Sequence, residues 1–245
     1  MPMSHRREFL RTTSSTIAAV AASAGFHAAG AEKQETVNLG IVGCGGIMSH
    51  HVKGLVGRHE NVRFQYLCDV DERQIDRMAE NIKGFQSSPP VRTSKFEDVI
   101  HDKNVDAVII ATPHHWHAPI AIAAMQNSKD CYIEKPISHV FNEGPAIIAA
   151  SKKYQRIVQQ GSQMRSSPVT AKAAKLLADG IIGDIKVARA WTAEIRNVVK
   201  PVPDSPTPPG VDYDRWLGPA PSRPFNRHRF HGSWRMYRDY ANGEI

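Results

Sequence analysis

The hydrophobic pattern changes period along the chain, and each change marks an element. Val37, Leu39, Ile41 and Val42 form a short, β-branched apolar run that suits a buried strand. The run ends in Gly43-Cys44-Gly45-Gly46, behind which Ile47 to Val56 continues as a helix. Phe64 to Cys68 reads as a second strand, with a helix beginning near Glu72. Val99 and Ile100 end a short helix. Ala107 to Ala111 is apolar throughout, as expected of a parallel sheet covered on both faces. Thr112-Pro113 stops it, and a helix follows from about His117 to Asn127. A strand at Cys131–Ile133, a helix from Asn142 to Tyr154 and a run from Ile157 to Gln160 complete the series. This alternation predicts an α/β chain with a doubly wound parallel sheet, whose ligands lie at the carboxyl ends of the strands. Gly43, Asp69, Thr112, Pro113 and Lys135 all fall at such ends.

Past Gly161 the pattern weakens. Ser167 to Asp179 looks helical, with Ala171, Ala174, Leu177 and Ala178 on one side. Ile185 to Ile195 alternates with a period of two, which predicts a strand with one buried face. Lys200 to Gly210 is proline-rich and irregular, and Trp216 to Pro221 reads as a further loop. No second strong strand appears to complete a sheet, and one strand cannot bury its apolar face alone.

The turn at Gly43 carries the first chemical signal. Strand, glycine turn and helix in that order make a phosphate cradle, because the helix start offers free N–H groups and the positive end of a dipole. The dinucleotide pattern G-x-G-x-x-G is met at Gly43 and Gly45, while Met48 holds the third place. Asp69, at the end of the second strand, can accept the hydroxyls of an adenosine ribose and repel a 2′-phosphate, which favours NAD over NADP. Arg73 is near enough to weaken that preference. The alternative role of Asp69 is to cap the helix near Glu72, and one residue could do both.

Glu134-Lys135-Pro136, at another strand end, carries the second. A lysine there can donate to a substrate hydroxyl or a nicotinamide ribose and shuttle a proton; the alternative is a surface pair before a proline turn. His114-His115-Trp116-His117 invites a metal, but adjacent side chains at a helix start diverge, so a polar and aromatic wall is the better reading and no metal is expected.

The 245 residues carry a formal charge of +7. No nucleic-acid motif accompanies it. Arg227, Arg229 and Arg235 lie among aromatics, where they face either an anionic substrate or solvent. Cys44, Cys68 and Cys131 have no metal-ligand spacing and read as small buried side chains. Residues 1–31 read as a twin-arginine signal. Arg6-Arg7 precedes a mild apolar stretch from Thr16 to Ala24, and Ala29-Gly30-Ala31 offers a cleavage site. Export to the periplasm follows, with no cysteine for a lipid anchor and no membrane span in the mature chain.

Together, Gly-Ile-Val-Gly-Cys-Gly-Gly, Cys-Asp-Val-Asp, Ala-Thr-Pro-His-His-Trp-His and Glu-Lys-Pro resemble the Gfo/Idh/MocA oxidoreductase family, in its secreted bacterial form. Gly161 to Ser166, Asp212 to Pro219 and Arg238-Asp239-Tyr240 extend the likeness. The resemblance implies a Rossmann domain over residues 37–161 and part of an open-sheet α/β domain over 162–245. It implies hydride transfer between NAD(P) and a sugar, polyol or related small carbohydrate, with Lys135 catalytic. A cis peptide at Lys135–Pro136 goes with it. The cofactor would then be held by Gly43, Gly45, Gly46, Ile47, Asp69, Thr112, Pro113, His117, Glu134 and Lys135, and the substrate by His114, Trp116, Arg165 and Arg235. A redox glycosidase of the same fold and a non-catalytic nucleotide-binding remnant are the alternatives. Members of the family continue past this length and bear a catalytic histidine that none of the twelve histidines here matches. The resemblance thus implies a C-terminally truncated, inactive chain, and a homo-oligomer for a full-length form.

Overall fold

The computed structural model describes residues 36–57, 61–191 and 201–243. The twin-arginine stretch and Ile195 lie outside them. Six strands form one sheet: β1 (Val37–Val42), β2 (Val62–Cys68), β3 (Val91–Thr93), β4 (Ala107–Ile110), β5 (Asp130–Ile133) and β6 (Val158–Gln160). Their order is β3-β2-β1-β4-β5-β6 and every pairing is parallel. The helices are α1 (Gly46–Val56), α2 (Glu72–Asn81), α3 (Phe96–His101), α4 (His117–Gln126), α5 (Glu143–Tyr154), α6 (Pro168–Ala178) and α7 (Tyr213–Leu217).

The apolar runs are explained by burial on both faces. Leu39, Ile41 and Ile109 point to one side, where Met48, Phe64, Leu67 and Met78 cover them. Val42, Val108, Ile110 and Ile133 point to the other, against Ile120, Met125 and Ile147. Met48 is fully buried, so the third position of the glycine pattern is filled by a core side chain of α1. A Cβ on Gly40 would stand 2.2 Å from Val99 Cγ1, so the glycine lets α3 close on β1. The three cysteines are buried and free.

Beyond β6 the structure departs from the sequence pattern. Residues 185–191 form no strand, and every residue from 168 to 191 is exposed, α6 included. The alternating pattern has no neighbouring ladder among the described residues, and without one it has no face to bury. Trp216 and Leu217, expected in a loop, instead end α7, which Asp212 caps by accepting a hydrogen bond from Arg215 N at 3.0 Å. β3 has no counterpart in the pattern reading, because Val91-Arg92-Thr93 is a three-residue edge strand with little apolar content.

The segment from Gly210 to Gly243 packs without strands. Tyr213, Trp216, Phe225, Phe230, Trp234 and Tyr240 make a third buried cluster. Tyr213 stacks on Trp216 at 5.5 Å, and Trp216 meets Tyr240 edge-on at 4.6 Å. The cluster is stitched to the sheet's carboxyl edge: Glu72 N donates to Gly210 O at 3.0 Å, and Asp212 N donates to Val70 O at 2.8 Å.

Candidate functional site

The chain's winding reverses between β1 and β4, and a crevice opens there at the strand ends. It holds a cavity of about 360 Å³. Gly43, Gly45, Gly46, Ile47, Asp69, Thr112 and Pro113, from the expected cofactor set, line it, as do Trp116 and Arg235 from the expected substrate set. Gly43 sits at φ +88°, and a Cβ on it would stand 2.8 Å from the backbone carbon and oxygen of Ala111, so only glycine fits. Nothing stands within 4 Å of a Cβ on Gly45 or Gly46, leaving room above the turn. The N–H groups of the first turn of α1 have no intrahelical acceptor.

Asp69 ties the turn to β2. Its Oδ2 accepts from Cys44 N at 2.7 Å and its Oδ1 from Asp71 N at 3.0 Å. Burial raises its pKa and outweighs those two bonds. Two sequence expectations are corrected here. The α2 cap is Asp71, which accepts from Arg73 N at 3.0 Å. Arg73 engages Asp71 through Nε and Nη2, both at 2.8 Å, and so is not the neighbour that offsets Asp69. His231 Nε2 reaches the same Asp71 at 2.7 Å. Burial would raise the Asp71 pKa, but these partners bring it below the usual carboxylate value.

Glu134, Lys135, His114, His117 and Arg165 lie outside the lining of this cavity. Glu134 is buried at the end of β5. His51 Nε2 lies 2.5 Å from its Oε1, which also accepts from Gln163, and Lys135 N donates to its Oε2 at 3.0 Å. Burial pushes the Glu134 pKa up, and these bonds bring it below its ordinary value. Lys135 is exposed, and its bond to Pro136 is cis. His117 has both ring nitrogens on carbonyls, Pro136 O at 2.7 Å and Thr112 O at 2.8 Å. Burial lowers its pKa against the pull of those carbonyls. His114 meets Trp234 edge-on at 4.9 Å, and burial lowers its pKa to about 3. His115 reaches Trp216 O at 2.9 Å, with its pKa lowered by burial to about 4. The histidine run is thus a set of packing contacts, and no cluster of metal-binding side chains occurs among the described residues. Arg165 is exposed on a 3₁₀ turn.

The arginine cluster does not form one patch. Arg223 pairs with Asp239 at 2.5 Å and Arg229 with Asp204 at 2.8 Å, while Arg235 lies 4.4 Å over the Trp234 ring at the cleft.

Sequence reasoning missed His51, Gln74, Arg77, Arg215, Trp216, His231 and Trp234. All but His51 line the cavity. Gln74 and Arg77 were findable, since they stand three apart on a helix that starts just after Asp69. Nothing in the spacing connects His231 to Asp71.

Residues 37–162 match the family described as oxidoreductase, NAD-binding Rossmann fold, and residues 170–245 match its C-terminal alpha/beta domain. The chain belongs to the Gfo/Idh/MocA oxidoreductase family. Among Gfo/Idh/MocA relatives it is 27% identical over 159 residues to an alpha-N-acetylgalactosaminidase of Shewanella oneidensis, which covers 63% of this chain and 34% of that one. It is 29% identical over 158 residues to an inositol 2-dehydrogenase of Rubrobacter xylanophilus, covering 64% and 44%. The crystal structure of myo-inositol 2-dehydrogenase from Lactobacillus plantarum superposes with a TM-score of 0.55 at 27% identity, over 62% of this chain and 43% of that one. The chain thus spans less than half the length of these relatives.

Proposed function

We propose that the chain is part of an NAD-dependent oxidoreductase that moves a hydride between the nicotinamide and a sugar, polyol or related carbohydrate. The observation that carries this reading is the glycine turn, tied through Cys44 N to Asp69 and open above Gly45 and Gly46. The residues present fit a dinucleotide. The start of α1 suits a pyrophosphate. Arg77 and Arg235 bring positive charge to the same cavity. Asp69 suits the adenosine ribose and disfavours a 2′-phosphate, so NAD is preferred over NADP.

A bound nicotinamide supplies the hydride acceptor or donor. Thr112 and Pro113 wall the cleft at the end of β4. Lys135 holds a proton at the reacting hydroxyl, and Glu134, fixed by His51 and Gln163, anchors the backbone beside it through Lys135 N. The inositol dehydrogenase relative supports a polyol substrate. The likeness to the alpha-N-acetylgalactosaminidase supports a second reading, a glycosidase that oxidises, eliminates and reduces with no net change in NAD. We also read residues 1–31 as a twin-arginine leader to the periplasm, 37–161 and 162–245 as the two domains, and the full-length form as a homo-oligomer.

Titration of NAD onto the purified mature chain tests the site. Saturable binding that Gly43→Ala abolishes is expected, because the added Cβ meets the Ala111 backbone. A panel of polyols, aldoses and glycosides then separates the chemistries. Net NADH marks a dehydrogenase, sugar release without net NADH marks the glycosidase, and NAD binding with neither marks a nucleotide-binding remnant. Replacing Arg6 and Arg7 by lysine should block export; unchanged delivery to the periplasm would refute the leader.

A further inference from the structure

The adenosine end of the cleft contains a polar group that the fold leaves unused. Gln74, on α2, is only 8% exposed and lines the cavity. Its Oε1 is buried and has no hydrogen-bond partner among the described residues. Its Nε2 is 3.5 Å from His231 Nε2. His231 in turn bonds Asp71 at 2.7 Å, and Asp71 N donates to Asp69 Oδ1. Asp69, Asp71 and His231 are therefore one hydrogen-bonded chain, and the Gln74 amide lies at its end, beside His231. A buried acceptor without a donor is costly, and a ligand that supplies a donor recovers that cost.

We propose that Gln74 is a specificity residue for the dinucleotide, acting beside Asp69 as a second acceptor at the adenosine ribose. This rests on the reading of the cavity as an NAD site. A ribose hydroxyl is a donor that satisfies the amide oxygen. A 2′-phosphate is an acceptor and an anion, so it leaves that oxygen unpaired and confronts Asp69. Selection of NAD over NADP is then shared between the carboxylate and the amide. Arg77, exposed at the rim one turn along α2, acts differently. Its charge serves phosphates in general and carries no preference between the two dinucleotides.

The test is titration of NAD and of NADP onto the purified mature chain and its Gln74→Met and Arg77→Gln variants. The unaltered chain should bind NAD more tightly than NADP. Gln74→Met keeps the side chain's length and removes the amide. It should weaken NAD about fivefold to tenfold, one hydrogen bond's worth, and NADP by less than twofold, so the preference shrinks. Arg77→Gln should weaken both alike and flatten the salt dependence of both. If Gln74→Met fails to fold, Gln74→Asn keeps the amide but withdraws it by one methylene, and should shrink the preference in the same direction. An unchanged NAD-to-NADP ratio in a folded Gln74 variant would overturn the inference while leaving the NAD site standing. A folded parent chain that binds neither dinucleotide would overturn both.

Discussion

Trp191 and Trp216 are the same side chain in opposite situations. Both fall within the part of the chain that matches the family's C-terminal domain. Trp191 is 80% exposed, at the end of a stretch from 168 to 191 that buries nothing. Trp216 is 4% exposed, with Tyr213 stacked on it and Phe230 and Tyr240 against its edges. The first stretch is a helix and an alternating segment, elements that must find a flat apolar partner. The second has no such requirement. Its aromatic rings cluster among themselves, and its backbone carbonyls accept from the dinucleotide domain, as Arg215 O does from Trp116 Nε1 at 3.0 Å. Apolar content alone does not bury a segment; the shape it needs opposite it decides.

The largest effect separates the two tryptophans. Trp216→Ala should cost about 3–5 kcal/mol, as for large-to-small changes in cores, whereas Trp191→Ala should stay within about 0.5 kcal/mol. Urea midpoints of the two variants measure this, and equal losses would mean that the 168–191 stretch is packed in solution.

Acid should attack the packed segment next. His114 and His115 are buried against Trp234 and Trp216, with pKa values near 3 and 4. The unfolded chain takes up their protons near the ordinary value of 6.5 and the folded chain does not. Stability is therefore full above about pH 6.5 and falls as pH drops toward 4, by on the order of 3 kcal/mol per histidine. A denaturation midpoint that stays constant from pH 7 to 4.5 would contradict this burial.

Gly218 comes third. At φ +50°, a Cβ there would stand 2.0 Å from the Trp116 ring. Gly218→Ala should cost roughly 1–3 kcal/mol by overpacking, read as a lower thermal midpoint, while Gly180→Ala in the exposed stretch, where nothing stands within 4 Å, should show only the smaller penalty of its positive φ. The smallest effect belongs to Arg215 and Glu97, a 2.9 Å pair with both side chains partly exposed. Arg215→Gln should cost about 0.2–1 kcal/mol, and less at high salt.

Most of the dinucleotide domain was legible because each element solves its own burial problem. The runs at Val37, Phe64, Ala107 and Cys131 are strands for that reason, and Gly43 and Asp69 stand where a strand must end. The cleft's inner wall came with them. Its outer wall did not, since His231, Trp234 and Arg215 reach it through contacts that no local period encodes. Ile185 to Trp191 misled for the complementary reason: alternation reports a face to be buried and says nothing of whether a neighbour is there to bury it.

The bond between His231 and Asp71 joins positions 160 residues apart. On a ribosome, every strand of the sheet is made before that bond can form. The loop it closes is long, yet each doubling of loop length adds only about 0.6 kcal/mol of entropy cost, so distance delays this contact more than it weakens it. Domains fold largely as their residues emerge. The crevice therefore begins life with its floor and one side, and Val70 and Trp116 are wet until residues 210 to 240 arrive. A nascent chain halted before Gly210 should be a folded sheet with an unroofed cleft, visible to protease where the finished chain is not.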